Sequence, residues 1–355
     1  MRAQLSDREI RSVAVLVNPA AGGGRGAAVA GRAVDRLRSH GVEVRRLDGA
    51  DAEDSLALAR RAVADGVDAL VVCGGDGMVS LAVQAQAFSG IPIGIIPAGT
   101  GNDLAREYGI PLGNPEAAAD VVAAGRVESV DLGRATPDGG RPHVFASVLC
   151  AGLDSAVNRR VNEMRILGGP LRYVLASIIE FPTYRPRRFR MAFDVGLPTE
   201  EVVETEVLLS AYAITRSYGG DMKIAPDADR SDGLFDVCYV GRISKLRLAW
   251  HFRRIYSGTH VGLRGVTTRR CRTVRIEADG VGARKSATIS AMVKSVSCPT
   301  AEMTGNREAA MARATISSLK AHNSSIEPPP RPTIKRSRSG RVLARCKAAL
   351  MLCAA

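Results

Sequence analysis

The chain has 355 residues, of which 46% are hydrophobic and 24% charged, so it is neither wholly disordered nor collagen-like and is long enough for two domains. The net charge of +13 is uneven, because residues 281–355 hold 13 Lys and Arg against 3 Asp and Glu, a net +10 that leaves +3 on the first 280. The body of the protein is therefore not a basic surface for nucleic acid, and we expect no nucleic-acid partner.

Short apolar runs alternate with helix-forming stretches over residues 12–131, which is the pattern of a doubly wound parallel α/β domain. The predicted strands are residues 13–17, 42–47, 69–73 and 91–96, and the predicted helices are residues 27–39, 53–64 and 78–88. Gly-rich turns follow three of these strands directly. Since parallel sheets bind ligands beyond the carboxyl ends of their strands, these turns mark the predicted site.

Residues 132–280 consist mainly of short strand-like apolar segments with few helix-forming stretches between them, which predicts an antiparallel β domain. Its predicted strands are residues 144–150, 189–195, 206–214, 234–240 and 273–278, and its predicted helices are residues 165–180 and 245–256. Residues 281–355 lack regular apolar alternation and contain a Pro-rich segment and a basic run, which predicts a disordered basic tail. A weak helix at residues 342–352 that rests on an anionic membrane is the alternative for part of this tail.

The first turn has the sequence NPAAGGG and includes Asn18, Pro19 and Gly22. Its backbone N–H groups and the start of the following helix suit it to phosphate, and Gly allows a ligand to approach closely. It matches neither the Walker A loop nor the G-x-G-x-x-G fingerprint. Because many strand-to-helix turns contain glycines, a purely structural role is equally open for this turn.

The second turn is Gly74, Gly75, Asp76 and Gly77, and it places one carboxylate among three glycines at the end of a buried strand. Such a carboxylate can hold Mg²⁺ or orient a hydroxyl group beside phosphate oxygens. The alternative is that Asp76 caps the helix that follows it.

The third turn, residues 97–106, offers the polar side chains of Thr100, Asn102 and Asp103, for which helix capping is again the alternative. Three polar, Gly-rich turns at one edge of a sheet are hard to explain by capping alone. Together they predict a phosphate site.

The three turns, in their order and spacing, resemble the diacylglycerol kinase catalytic domain family, which includes bacterial lipid kinases, sphingosine kinases and ceramide kinases. The resemblance extends through residues 218–226 (YGGDMKIAP), 231–237 (SDGLFDV) and 257–260 (SGTH), and it is strong for the bacterial soluble diacylglycerol kinases. It implies ATP- and Mg²⁺-dependent transfer of the γ-phosphoryl group to a lipid hydroxyl, most directly that of diacylglycerol. It also implies a β-sandwich for the second domain, with the nucleotide between the two domains.

The resemblance also implies roles for individual residues. Asp76 is the expected catalytic residue and would bind Mg²⁺, and the expected nucleotide-binding residues are Asn18, Pro19, Gly22, Gly74, Gly75, Asp76, Gly77 and Thr100. A second, structural Mg²⁺ is expected at Asp232, the carbonyl group of Leu234, and Asp229. Alternatively, these carboxylates close a hairpin. NAD kinases share the Gly-Gly-Asp-Gly turn, but residues 97–106 and 218–226 fit them poorly.

Two positions depart from the family pattern. Asp221 stands where members usually have Gly. Members also have a carboxylate, in an Asp-Gly-Glu or Asp-Gly-Asp sequence, that acts as general base on the lipid hydroxyl; here it would fall near residues 284–287, which read Arg-Lys-Ser-Ala. We therefore hypothesise a reading-frame shift or a divergent terminus, and the alternative function is a catalytically impaired nucleotide- or lipid-binding protein.

The seven cysteines are scattered without metal-ligand spacing and are odd in number, which indicates reduced thiols in a cytoplasmic protein. No apolar run approaches the roughly 20 residues of a membrane span, and no secretory signal is apparent. We expect a protein peripheral to the inner face of the membrane, in transient contact with that surface through its membrane lipid substrate. The basic residues that could assist this contact, or simply form a solvated face, are Arg185, Arg187, Arg188 and Arg190. The sequence leaves a homodimer open.

Overall fold

Strands and helices alternate in the first part of the chain, and strands dominate the second part, as the change in apolar pattern predicts. The computed structural model describes residues 5–164, 170–279 and 284–299. Its strands are β1 (Leu5–Asp7), β2 (Ser12–Val17), β3 (Glu43–Asp48), β4 (Ala69–Gly74), β5 (Ile93–Pro97), β6 (Arg126–Pro137), β7 (His143–Phe145), β8 (Val148–Gly152), β9 (Arg187–Phe193), β10 (Glu201–Val207), β11 (Leu209–Ala213), β12 (Phe235–Val240), β13 (Val266–Cys271), β14 (Thr273–Asp279) and β15 (Arg284–Pro299). Its helices are α1 (Ala21–Gly24), α2 (Gly26–Ser39), α3 (Ala52–Ala64), α4 (Asp76–Gln86), α5 (Asp103–Glu107), α6 (Pro115–Ala123), α7 (Leu153–Glu163), α8 (Pro170–Thr183), α9 (Lys245–His251) and α10 (Arg254–Ser257).

The parallel sheet has the strand order β3-β2-β4-β5, and every neighbouring pair in it is parallel. Strands β4 and β5 are buried along their whole length, because helices cover both faces of the sheet. Helix α2 packs with α6, and α3 packs with α4. The predicted doubly wound α/β domain is therefore confirmed, and the three predicted turns leave the carboxyl ends of β2, β4 and β5.

Two antiparallel sheets contain the strands of the second part of the chain, and β1, from the beginning of the chain, joins one of them. One has the order β1-β6-β15-β14-β9-β10 with β7 added to β6, and the other has the order β13-β12-β11-β8. Their apolar faces share one core, in which the ring of Phe145 stacks on that of Phe235 with centroids 5.9 Å apart. This arrangement is the predicted β-sandwich.

The predicted start of the disordered tail at residue 281 is wrong, because residues 284–299 form β15. This strand lies inside its sheet, between β14 and β6, where Ala287 and Ile289 are fully buried. The sequence analysis missed β15 because Ser, Thr and Lys alternate with its few apolar residues. The predictions for residues 300–355, including the helix at 342–352, lie outside the described residues.

Several predicted elements of the second domain are divided in the structure. The predicted strand at 144–150 is β7 and β8, the predicted strand at 206–214 begins in β10 and continues as β11, and the predicted helix at 245–256 is α9 and α10. The predicted helix at 165–180 corresponds to α8, with residues 165–169 outside the described residues. Strand β6 was not predicted, and it crosses the proposed domain boundary at residue 131 to join the antiparallel sheet.

The two parts of the chain are joined by ion pairs around Arg230. Its guanidinium group donates to Glu128 at 2.8 Å and to Glu107 at 3.3 Å, and Glu107 also pairs with Arg216 at 3.0 Å. Glu128 is buried, and a buried carboxylate of this kind requires a charged partner. These contacts hold α5, which follows the third turn, against the antiparallel domain.

None of the described helices is both long and apolar enough to cross a membrane. The cysteines whose side chains are described, Cys73, Cys150, Cys238 and Cys271, are free thiols. Burial raises the pKa of Cys73, Cys238 and Cys271 to about 12, so these thiols are protonated and unreactive at neutral pH.

Candidate active site

The three predicted turns meet at the carboxyl edge of the parallel sheet. A Cβ atom added to Gly22 in the first turn would lie 2.8 Å from the carbonyl oxygen of Ala98 in the third. A Cβ atom on Gly75 in the second turn would lie 3.1 Å from Cα of Gly99. Only glycine fits at these points without movement of the neighbouring backbone, because real Cβ contacts are rarely so short. The glycines therefore allow the three turns to pack directly on one another.

The first turn is held by its own backbone and by Asn18. The Asn18 backbone N–H donates to the carbonyl oxygen of Cys73 at 3.0 Å, and its side-chain oxygen accepts the N–H of Ala20 at 3.1 Å. Gly22 has a left-handed φ of 59°, and Pro19 is exposed at the rim. Sequence reasoning did not select Arg25, whose side chain is exposed and donates to the carbonyl oxygen of Gly22 at 3.0 Å. This cation therefore lies at the rim where a phosphate group is expected.

The second turn places Asp76 as the first residue of α4, half-buried, with Gly75 as the N-cap. The structural alternative is that the Asp76 carboxylate caps its own helix, but at the start of α4, which the structure describes in full, there is no such hydrogen bond. Instead, the carboxylate accepts the backbone N–H of Leu104 at 3.3 Å and so caps α5. Gly74 is buried behind it and Gly77 is exposed beside it. Asp76 therefore connects the second turn to the third.

Two carboxylates face each other across Gly101. A Cβ atom on Gly101 would lie 2.6 Å from Oδ2 of Asp76 and 3.7 Å from Oδ2 of Asp103. Burial raises the pKa of Asp76, and the nearby Asp103 carboxylate raises it further, while backbone N–H groups of the third turn oppose the shift. A divalent cation at this position would offset the repulsion between the two carboxylates.

The third turn is fixed by Asn102, a residue with a left-handed φ of 55°. Its side-chain oxygen accepts the N–H of Gly99 at 3.0 Å, and its side-chain nitrogen donates to the carbonyl oxygen of Gly99 at 2.9 Å. Both polar atoms of the Asn102 side chain therefore bind the turn itself. Thr100 is exposed at the tip, where its hydroxyl group can reach a ligand.

Asp103 connects the third turn to the antiparallel domain. Its carboxylate accepts the backbone N–H groups of Gly220 and Asp221, each at 3.0 Å, and it pairs with Arg106 at 3.1 Å. Gly219, Gly220 and Asp221 all have positive φ, with 73° at Asp221. This conformation explains why Gly is usual at position 221, and Asp is among the residues that tolerate it.

The structure does not assemble the expected ligands of the structural Mg²⁺ into a metal-binding group. Asp232 pairs with the guanidinium group of Arg270 and accepts the N–H of Leu234 at 2.9 Å. Asp229 accepts the N–H and the hydroxyl group of Ser231, at 3.0 and 2.8 Å. Across the described part of the chain, no three His, Cys, Asp or Glu side chains are grouped to hold a metal ion. This second metal site therefore stays a prediction.

Sequence reasoning also missed the buried Asp131. Its carboxylate accepts the N–H of Gly233 at 2.6 Å, next to Asp232 in the hairpin turn. Burial raises the pKa of Asp131, and the charges of Asp232 and Asp229 add to the shift. The Asp-Gly turn is therefore fixed to β6 by a buried carboxylate, a contact between positions 102 residues apart that local pattern does not reveal.

Known proteins resemble this chain in sequence and in fold. The model of the diacylglycerol kinase catalytic domain matches residues 12–135, and that of the YegS C-terminal NAD kinase beta sandwich-like domain matches residues 147–292. A diacylglycerol kinase of Mycobacterium tuberculosis is 45% identical over 278 residues, which are 78% of this chain and 89% of the relative. A diacylglycerol kinase of Bacillus subtilis is 30% identical over 189 residues, 52% of this chain and 59% of the relative. The crystal structure of a diacylglycerol kinase from Bacillus anthracis str. Sterne has a TM-score of 0.61 at 19% identity, covering 83% of this chain and 98% of that one, and supports the fold.

Proposed function

The chain belongs to the diacylglycerol kinase catalytic domain family of bacterial lipid kinases, and from that membership we propose that it transfers the γ-phosphoryl group of ATP to the hydroxyl group of diacylglycerol, giving phosphatidic acid. The observation that carries this proposal is the pair of carboxylates, Asp76 and Asp103, that face each other across Gly101 where the three turns meet. Phosphoryl transfer depends mainly on positioning and on neutralising charge, and it needs little covalent chemistry from the protein.

The residues at this site fit a bound Mg²⁺. Proteins usually hold this ion through one or two carboxylates, with phosphate oxygens and water completing the octahedron. Asp76 is the direct ligand that we propose, and Asp103 lies close enough to share the charge or to bind through water. When bound, Mg²⁺ would neutralise negative charge on the transferring phosphoryl group.

Other residues of the three turns would bind and orient the nucleotide. Gly22, Gly75 and Gly101 let the three turns pack closely around the site, while Asn102 fixes the third turn in its left-handed conformation. The exposed guanidinium group of Arg25 supplies positive charge beside the first turn. We propose that Asn18 and Pro19 contact the nucleotide at the first turn. The hydroxyl group of Thr100 would donate a hydrogen bond to a phosphate oxygen.

The lipid hydroxyl group must lose a proton during the transfer. Residues 284–287, where the family pattern expects the general base, contain no carboxylate and begin β15 opposite β14. General acid–base catalysis typically contributes about 10²–10⁴-fold to a rate. We therefore propose a slower transfer than in relatives that have this carboxylate, with positioning and Mg²⁺ supplying the remaining catalysis.

The proposal is tested with purified protein, radiolabelled ATP, Mg²⁺ and diacylglycerol dispersed in detergent micelles. We expect labelled phosphatidic acid from the wild type and a loss of about 100-fold or more from Asp76→Asn. Asp35→Asn, on the exposed face of α2, is the matched control and should keep full activity. A parallel reaction contains NAD⁺ instead of diacylglycerol. Labelled NADP⁺ in that reaction without labelled lipid in the first, or equal turnover of diacylglycerol by the wild type and the Asp76 variant, would overturn the proposal.

A further inference from the structure

The only tryptophan of the chain lies almost fully exposed on α9. Trp250 is 84% exposed, and Leu246, one turn earlier on the same helix, is 86% exposed. Phe252 and Tyr256 follow on the same segment, are also exposed, and contact each other edge to face. Large apolar side chains that cluster on a surface in this way mark an interaction site rather than ordinary exposure. We call residues 245–256 the α9–α10 surface.

The charge around the α9–α10 surface is strongly positive. Residues 245–256 contain four Lys and Arg and no Asp or Glu, whereas the neighbouring Arg242, Arg269, Arg270 and Arg275 pair with carboxylates. Arg247, Arg253 and Arg254 are exposed, and none of them forms an ion pair with a carboxylate of the described residues. By contrast, Arg188 and Arg190, which the sequence analysis considered for membrane contact, both pair with Glu204. The α9–α10 surface is thus the better candidate for binding negative charge.

We propose that the α9–α10 surface docks on an anionic lipid bilayer. Trp and Tyr favour the interface between headgroups and acyl chains, and Lys and Arg near them are attracted to anionic headgroups. A second copy of this surface would bring like charges together. Residues 300–355 carry ten Lys and Arg against three Asp and Glu, so charge also disfavours them as the occupant.

The α9–α10 surface is connected to the candidate active site through a short path in the structure. The carbonyl oxygen of Ile255, the buried residue of α10, accepts the N–H of Lys223 at 2.9 Å. A Cβ atom on Gly258 would lie 2.9 Å from Pro226, so the end of α10 packs on the same segment. Two residues before Lys223, Asp221 donates its N–H to Asp103. Docking would therefore bring the site of the proposed lipid kinase close to the bilayer, an effect that rests on the proposed function.

The fluorescence of Trp250 reports directly on this docking, since no other tryptophan contributes to the emission. We expect a blue shift on addition of phosphatidylcholine vesicles that contain phosphatidylglycerol, because the indole ring leaves water. High salt should weaken the shift, since it screens the headgroup charge. Vesicles of phosphatidylcholine alone should give little change. An unchanged emission with the anionic vesicles overturns the proposal.

Two pairs of substitutions separate the apolar and the charged contributions in vesicle sedimentation, without nucleotide. Leu246→Ser with Trp250→Ser should lose most binding, whereas Leu112→Ser, an exposed leucine in the α/β domain, should not. Arg247→Glu with Arg253→Glu should weaken binding to anionic vesicles by about thirtyfold or more, whereas Arg38→Glu with Arg60→Glu, the same charge change on α2 and α3, should have a small effect. Equal losses of vesicle binding in the test variants and in their controls would contradict a specific docking surface.

Two further measurements distinguish the alternatives. Turnover of micellar diacylglycerol by the docking variants should stay near the wild-type rate. An inactive wild-type protein would contradict the proposed function, whereas the vesicle-binding result would still test the docking surface. Light scattering in the absence of lipid should give the same mass for the wild type and the Trp250 variant. A dimer that the variant converts to monomer, with vesicle binding intact, would assign this surface to a second copy and overturn the membrane proposal.

Discussion

The carboxylate of Asp103 accepts the backbone N–H of Asp221 at 3.0 Å, and this hydrogen bond joins residues 118 positions apart across the two domains. The same carboxylate lies beside Asp76, so one side chain takes part in both the domain contact and the candidate metal site. Binding of nucleotide and Mg²⁺ at the three turns is therefore expected to depend on how the antiparallel domain is held.

Removal of this contact should reduce stability. Asp103→Ala leaves the N–H groups of Gly220 and Asp221 without their acceptor, and hydrogen bonds to a charged group contribute about 1.5–3 kcal/mol each. The two bonds together contribute about 3–6 kcal/mol, and relief of the repulsion between Asp103 and Asp76 offsets part of this loss, so we expect urea denaturation to show a free energy of unfolding lower by about 2–4 kcal/mol. Asp35→Ala on α2 is the control and should stay within about 0.5 kcal/mol of the wild type. A wild-type unfolding midpoint for the Asp103 variant would show that the bond contributes nothing.

Glycine at position 221 should stabilise the protein. Asp221 has a left-handed φ of 73°, which Gly adopts without a steric penalty, and the N–H that binds Asp103 is kept. We expect Asp221→Gly to raise the thermal midpoint, with a gain of about 0.5–1 kcal/mol, and Asp221→Ala to lower it. The opposite order of the two midpoints would contradict the assigned conformation.

The pH dependence of stability should carry a contribution from Asp76. Burial and the Asp103 carboxylate raise the pKa of Asp76 in the folded protein, so protonation of this group favours folding. That contribution is complete below the unfolded-state pKa and is lost as pH rises through the raised value. Asp76→Asn should therefore be more stable than the wild type at neutral pH, and the difference should shrink in acid, as measured by urea titrations across the acidic range. A difference that stays constant with pH would contradict the shift.

A methyl group at position 101 should block the metal site. Gly101→Ala would place its Cβ atom 2.6 Å from Oδ2 of Asp76, where the carboxylate must move away. We expect calorimetry to show that Mg²⁺ no longer strengthens ATP binding in this variant. Gly31→Ala in α2 has open space around it and serves as the control. Unchanged Mg²⁺ dependence in Gly101→Ala would place the metal elsewhere.

Introducing the carboxylate expected by the family pattern should accelerate transfer. Replacement of residues 284–286 by Asp-Gly-Glu supplies a base at the start of β15, and we expect kcat for diacylglycerol to rise by about tenfold or more. Replacement of the same residues by three alanines removes the basic side chains without adding a base and should leave kcat unchanged. Equal rates for the two replacements would show that the base is not limiting.

Local pattern was enough to predict the parallel sheet and its three turns. Strands β2, β4 and β5 are nearly continuous apolar runs because both of their faces are covered, and a turn rich in Gly or Pro follows the apolar run of each. Strands β6 and β15 were missed because polar residues interrupt them, and their place in the sheet is set by pairing with each other over a long sequence distance. Tertiary pairing of this kind outweighs local propensity.

The site was predictable in its components but not in its connections. The sequence shows Asp76 and Asp103, yet it does not show that Asp76 caps α5 or that Asp103 binds residues 220 and 221. The sequence likewise does not show the ion pair of the expected metal ligand Asp232, because its partner Arg270 lies 38 residues away in a neighbouring strand. Side chains that bridge separate elements carry no periodic signal in the sequence.

A crystal structure with Mg²⁺ and a non-hydrolysable ATP analogue tests the central claim most directly. We expect the triphosphate to lie among the turns that contain Gly22, Gly75 and Gly101, with the metal ion bound to Asp76. Nucleotide density elsewhere in the molecule, with these three turns empty at saturating analogue, would contradict the assignment of this edge of the sheet as the active site.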